Sequence, residues 1–116
     1  MLLVAGSWSA KDKNKNQWIQ ADLRTTHRLE SVITRGRPGH DQWVKSYHVS
    51  YSQDGTNWVD IPTLYSGNTD RDTKKSNNLP PDTAARFVRL RPNEWETHIS
   101  MRWEVTGCDC KLEVNK

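Results

Sequence analysis

The sequence predicts an all-β domain, a sandwich or barrel built from short strands. No segment of helix length keeps a 3.6-residue apolar period, and short apolar runs instead alternate with turn signals. The clearest run covers residues 42–55. It places Tyr47, Val49 and Tyr51 on one side and Ser46, His48, Ser50 and Ser52 on the other, the period of a half-buried strand. Asp54-Gly55 closes it with residues that tolerate positive φ, and Trp58 opens the next apolar stretch.

The remaining elements follow in order. In residues 17–23, Ile19, Ala21 and Leu23 share a face, with Trp18, Gln20 and Asp22 opposite. Residues 29–34 form a second strand and 47–52 a third. Residues 58–61 form a shorter one, stopped by Pro62, because proline cannot donate to a ladder. Residues 86–90 read as a strand that ends at Pro92. In the last strand, Ile99, Met101, Trp103 and Val105 alternate with Ser100, Arg102, Glu104 and Thr106. Residues 66–82 make a polar connection with Gly67, Asn68, Asn77, Asn78 and Pro80-Pro81, long for a segment without structure of its own. The tail beyond Cys110 is polar and expected to fray. No internal repeat appears, so residues 1–110 read as one domain and 111–116 as a tail.

With 34% hydrophobic residues the core must be thin, and the 6 tryptophans offset this. The charge of +3 is a mild excess. It permits attraction to anionic lipid or sulfated glycan, and no zinc-finger, helix-turn-helix or RNP pattern points to nucleic acid. The apolar start, Met1 to Ala5, is too short to span a membrane and lacks the basic region of a signal peptide. No Gly-X-Ser-X-Gly, His-Glu-X-X-His or phosphate loop occurs, and His27, His40, His48 and His98 lack ligand spacing. The reading is a binding domain rather than an enzyme, with no metal ligand set and no catalytic residue to name.

The matching segments of a known family run through the whole chain. They are Gly6-Ser7-Trp8-Ser9-Ala10, Gln17-Trp18-Ile19-Gln20-Ala21-Asp22-Leu23, Val32-Ile33-Thr34-Arg35-Gly36-Arg37 and Trp43-Val44-Lys45-Ser46-Tyr47. Further on come Ser52-Gln53-Asp54-Gly55-Thr56-Asn57-Trp58, Gly67-Asn68-Thr69-Asp70 and Ala85-Arg86-Phe87-Val88-Arg89-Leu90-Arg91-Pro92. Trp95, His98-Ile99-Ser100-Met101-Arg102-Trp103-Glu104-Val105 and Gly107-Cys108 close the match. On these residues the chain resembles the discoidin domain, also called the coagulation factor V/VIII type C domain. The resemblance implies a jelly-roll β-sandwich or barrel of the galactose-binding-domain-like type. It also implies an extracellular, secreted or ectodomain module for cell adhesion and carbohydrate binding. Family members carry about forty residues ahead of the Gly-Ser-Trp segment, so this chain looks like a domain without its first strand. The expectation is an open strand edge, covered in a homo-oligomer or prone to aggregation. A disulfide across one residue is awkward, so Cys108 reads as a family cysteine whose usual partner lies in that front stretch.

The resemblance also implies which loops touch ligand. The first, residues 35–43, carries Arg35, Arg37, His40 and Asp41, and guanidinium suits carboxylate, sulfate or phosphate. Arg37 either faces ligand or pairs with Asp41, while Trp43 either offers a stacking face to a sugar or anchors the loop on the core. The second follows Trp8 and carries Lys11 and Lys13, with no bulky apolar tip to insert into a bilayer. The third holds Trp95 and His98. Trp95 either joins Arg37 in a sugar platform or packs into the core. Arg102, Asp22 and Glu104 are scaffold, with Arg102 pairing a carboxylate such as Asp22. The expected partners are cell-surface or matrix glycans and glycoproteins. The alternatives are an anionic phospholipid surface such as phosphatidylserine, or service as the carbohydrate-targeting domain of a larger secreted enzyme. No cofactor is implied, although relatives hold structural calcium through carboxylates and carbonyls.

Overall fold

The computed structural model describes residues 1–108, and all of its regular structure there is β. The strands are β1 (Leu2–Ser9), β2 (Ile19–Arg35), β3 (Trp43–Ser52), β4 (Trp58–Asp60), β5 (Tyr65–Ser66), β6 (Lys75–Asn78), β7 (Ala84–Glu96) and β8 (Ser100–Cys108). Every pairing is antiparallel, in the order β1-β8-β2-β7-β3-β4, with β5 added on β3 and β6 on β2.

β2 belongs to both layers of the sandwich. Its first residues pair with β7, Ile19 opposite Leu90 and Asp22 opposite Phe87. Its last residues pair with β8 on one side and β6 on the other, Val32 facing Val105 and Asn77. The residues 17–23 and 29–34 expected as separate strands are thus one strand of 17 residues. It bends at Arg24, whose φ is 74° and whose N–H donates to Asp22 Oδ1 at 2.8 Å. The polar segment Arg24-Thr25-Thr26 lacks an apolar face and so hid the continuity.

Two other expectations change. β7 runs through Pro92 instead of stopping there. Pro92 is buried opposite Tyr47, at a register irregularity of β3 between Ser46 and Tyr47, where a ladder can spare the missing N–H. The connection 66–82 has structure of its own in β6 and in Asn68, whose buried amide donates to Thr34 O at 2.8 Å and Thr73 O at 2.9 Å.

The core lies between the layers, filled by Val32, Val44, Tyr47, Val49, Val88, Leu90, Ile99, Met101, Trp103 and Val105. The Tyr47 hydroxyl accepts from Asn77 Nδ2 at 3.0 Å, and burial pushes its pKa up to about 12. Of the tryptophans only Trp103 is fully within this core; Trp8 and Trp95 pack against it in part. On the outer face of the β2-β7-β3 layer, the Arg89 guanidinium lies 4.0 Å from the Trp18 ring centroid and 3.9 Å from that of Trp58. Ser50 and Ser52, opposite Arg89 and Trp58 in register, are small and buried.

Three exposed carboxylates tie the turns and layers together. Asp54 Oδ1 accepts from the N–H groups of Thr56 and Asn57, both at 2.8 Å, which holds its pKa far below the ordinary range. Asp70 does the same for Asp72 and Thr73. Asp22 takes both Nε and Nη2 of Arg86, at 2.8 and 3.0 Å, and its pKa is lowered from 3.8 to about 2. Each pKa is depressed on folding, so the stabilisation is present above the unfolded value and is lost as pH falls through the folded one. Thermal melts should therefore show a falling midpoint between pH 3.8 and about 2. Asp22→Asn should melt lower than wild type at pH 7 and converge on it near pH 2; a constant gap would show that ionisation is not the cause.

Candidate functional site

Strand pairing brings several loops to one end of the sandwich. Ser9 at the end of β1 faces Ser100 at the start of β8, Arg35 at the end of β2 faces Arg102, and Trp43 at the start of β3 faces Glu96 near the end of β7. The connection between β2 and β3 and that between β7 and β8 meet here, joined by the first residues of the β1–β2 connection. Ala10 N donates to Ile99 O at 2.9 Å. His98 Nε2 lies 2.8 Å from Ala10 O; a carbonyl can only accept, so Nε2 carries the proton.

Gln42 is the centre of this end. Its Oε1 accepts from Ser100 Oγ at 3.0 Å and from Arg37 Nη1 at 3.2 Å. Ser100 has one hydroxyl proton, and it is spent on Gln42, so Ser9 Oγ donates to Ser100 Oγ at 2.8 Å. The backbone closes the same loop, with Arg37 N donating to Gln42 O at 2.9 Å and His40 N to Arg37 O at 3.3 Å. Pro38 and Gly39 are then the middle of a type II turn, which needs the φ of 74° that Gly39 adopts. Gly36 is required by close approach, since a Cβ there would lie 2.7 Å from both Arg71 Cα and Gln42 O. The result is a rigid loop that presents Arg37 to solvent.

A cavity of about 250 Å³ opens beside it, lined by Ser7, Trp8, Ser9, Arg37, Pro38 and Met101. It offers part of an indole, two hydroxyls and a guanidinium, groups that stack and hydrogen-bond. Among the described residues no group of three or more His, Cys, Asp or Glu could hold a metal ion.

The F5/8 type C domain matches residues 3–105. The chain belongs to that family. Canine (Canis lupus familiaris) coagulation factor VIII is 36% identical over 110 residues, which cover 89% of this chain and 5% of that protein. Discoidin-2 of Dictyostelium discoideum is 37% identical over 94% of this chain and 43% of its own length. Bovine (Bos taurus) lactadherin is 33% identical over 88% of this chain and 26% of its own. The chain thus spans less than half the length of each of these relatives. The solved structure of discoidin II from Dictyostelium discoideum superposes with a TM-score of 0.85 at 34% identity, covering 96% of this chain and 45% of that one. A carbohydrate-binding module from Clostridium perfringens, at 16% identity, covers 90% of this chain and 99% of its own, and shares the fold with a TM-score of 0.67. The jelly-roll, galactose-binding-like architecture expected from the resemblance is therefore the fold of this chain.

The F5/8 type C frame places the expected residues unequally. Trp8 and Arg37 share the cavity. Arg37 is held by Gln42 rather than Asp41, because Asp41 turns to Arg71 at 3.6 Å. His40 and Asp41 are exposed on the turn, and Arg35, half-buried, donates Nε to Asp72 O at 2.9 Å. Lys11 and Lys13 are exposed, and no hydrogen bond or ion pair among the described residues ties them to Arg37. Trp95 is not part of a platform with Arg37: it sits opposite Val44 and packs against the core. His98 serves as the clamp on Ala10, and Trp43 is half-buried at the foot of the loop.

The expected Arg102–Asp22 pair does not form. Asp22 lies on the half of β2 that pairs with β7, so it meets Arg86. Arg102 sits on the other half, where it donates to Gly36 O and Arg71 O, both at 2.8 Å, and to Asp72 Oδ1 at 3.2 Å. Glu104 pairs with Lys74 at 3.3 Å. Cys108 is disulfide-bonded, whereas it was expected to lack its partner in this chain. Cys110 and the tail 111–116 lie outside the described residues.

Gln42 was missed in the sequence because a lone polar residue before a strand carries no pattern. Gln42→Ala should strip the buried Ser100 hydroxyl of its acceptor and lower stability by about 1–2 kcal/mol in urea unfolding. Hydrogen exchange should quicken in residues 36–42 and not at Val88 or Leu90. Equal acceleration at both would make Gln42 a general scaffold residue instead of a loop organiser.

Proposed function

We propose that this domain is a non-catalytic extracellular recognition module that holds a glycan or matrix glycoprotein at the end where Gln42 knits the loops. The cavity between Trp8 and Arg37 carries this reading. An indole gives a sugar ring an apolar surface, and the guanidinium and serine hydroxyls match its hydroxyl groups. A rigid loop adds affinity because less disorder is lost on binding. The disulfide at Cys108 fits an oxidising compartment.

The exposed Lys11, Lys13 and Arg37 favour a second reading, electrostatic contact with an anionic phospholipid surface. It is weaker, because these loops offer no apolar tip and basic residues alone contribute roughly 1 kcal/mol each. A glycan array should show a discrete set of bound sugars. Trp8→Ala and Arg37→Ala should each reduce that binding by about tenfold, the scale of one good contact, with the melting temperature preserved in Arg37→Ala and a cooperative melt retained in Trp8→Ala. Binding indifferent to both substitutions would overturn the glycan reading, and salt-sensitive sedimentation with phosphatidylserine vesicles would favour the second.

A second copy of the chain is the proposed cover for the outer edge of β1. Among the described residues β1 pairs only with β8, and Leu-Leu-Val-Ala-Gly-Ser-Trp-Ser contains no charge or proline to blunt that edge. β4 and β6, at 3 and 4 residues, are short. Sedimentation velocity should show a concentration-dependent dimer that Ala5→Lys dissolves; a monomer throughout would refute it.

A further inference from the structure

We infer that the trough on the β1–β8–β2 layer next to the Trp8–Arg37 cavity takes the sulfate or carboxylate of an acidic saccharide, an inference that rests on that cavity holding sugar. The trough has a volume of about 310 Å³ and is lined by Gly6, Ser7, Ile33, Arg35, Arg102 and Glu104, among others, with the Glu104 carboxylate paired with Lys74. Ser7 also lines the cavity of Trp8 and Arg37, so the two spaces adjoin.

The charge pattern around these spaces is uneven. Asp41 is committed to Arg71 at 3.6 Å, Asp72 to Arg71 and Arg102 at 3.9 and 3.2 Å, and Glu104 to Lys74 at 3.3 Å. Arg35 and Arg37 have no carboxylate partner among the described residues. Each is instead pinned by a neutral oxygen, Arg35 Nε by Asp72 O at 2.9 Å and Arg37 Nη1 by Gln42 Oε1 at 3.2 Å. Neutral anchors fix a guanidinium in place without cancelling its charge. With Nε of Arg35 engaged, its paired Nη groups remain as a fork for two oxygens of one anion. One such arginine borders each space, and Ser7 lies at their junction. A sugar ring against Trp8 with an acidic substituent or neighbour over Ser7 would meet both.

A saccharide fits this place better than a lipid headgroup. The trough lies on a rigid sheet face and includes Ile33 and Gly6 beside its charges. A flat bilayer would meet the projecting loops first.

The test compares a heparin-derived tetrasaccharide with its desulfated, N-acetylated form by isothermal titration at low and moderate salt. The sulfated form should bind more tightly, with the preference shrinking as salt rises. Arg35→Gln should reduce that preference by about tenfold, one charge-assisted contact, and Arg35→Lys by less, since it keeps the charge without the fork. Both variants should be checked for an unchanged melt. Equal binding of the two forms, or a preference that survives Arg35→Gln, overturns the inference. Trp8→Ala tests the underlying cavity separately: if it affects neither ligand, the cavity reading fails. If phosphatidylserine vesicles bind through Arg35 and the sulfated sugar does not compete, the site belongs to a lipid and the proposal is wrong.

Discussion

A single strand shared by two sheets governs this molecule. The 17 residues of β2 pair first with β7 and then with β8 and β6, so the two layers cannot shift independently. The bend at Arg24 costs backbone strain, because a non-glycine residue in the left-handed region is unfavourable. The Asp22 carboxylate offsets it by accepting the Arg24 N–H while also receiving the Arg86 fork. One side chain thereby stabilises the bend and the β2–β7 seam beside it.

The same strand dictates where charge can be neutralised. Its first half delivers Asp22 to Arg86, and its second half delivers Arg35 and Gly36 to the region of Arg102. Arg102 then staples the β2–β3 loop to the connection between β5 and β6 through Gly36 O and Arg71 O. Those staples use up Asp72, so Arg35 receives only a backbone carbonyl. The uncancelled charge of Arg35 is a by-product of how the loops are fastened.

Much of the fold was legible because burial enforces a two-residue period, as in β3 and β8, where Val49, Met101 and Val105 point inward. Legibility failed where backbone hydrogen bonding carries on without an apolar face. Thr25 and Thr26 in β2, Lys75 to Asn78 in β6 and Pro92 in β7 are all strand residues that no hydrophobic pattern marks. At the site, Trp8 and Arg37 were legible as residue types. Their shared cavity was not, since it depends on β1 lying beside β8. Gln42 and the redirected pairs of Asp41 and Arg102 depend on which loop arrives next to which, and that information is topological.

Indole and guanidinium meet the surface at two places in this fold, and the comparison separates scaffold from site. Arg89 is sandwiched between Trp18 and Trp58 and also donates Nε to Gln20 Oε1 at 2.8 Å. Its ring contacts and hydrogen bond come from inside the chain, so the 46% exposure of Trp18 is the outer side of a finished stack. Trp8 and Arg37 border an open volume, and among the described residues one neutral hydrogen bond fixes the arginine side chain and no carboxylate pairs with it. Exposed aromatic area alone would have favoured Trp18 as the ligand contact. The better criterion is whether the cation already has its partner, and by that criterion Arg37 is the stronger candidate for the proposed ligand contact.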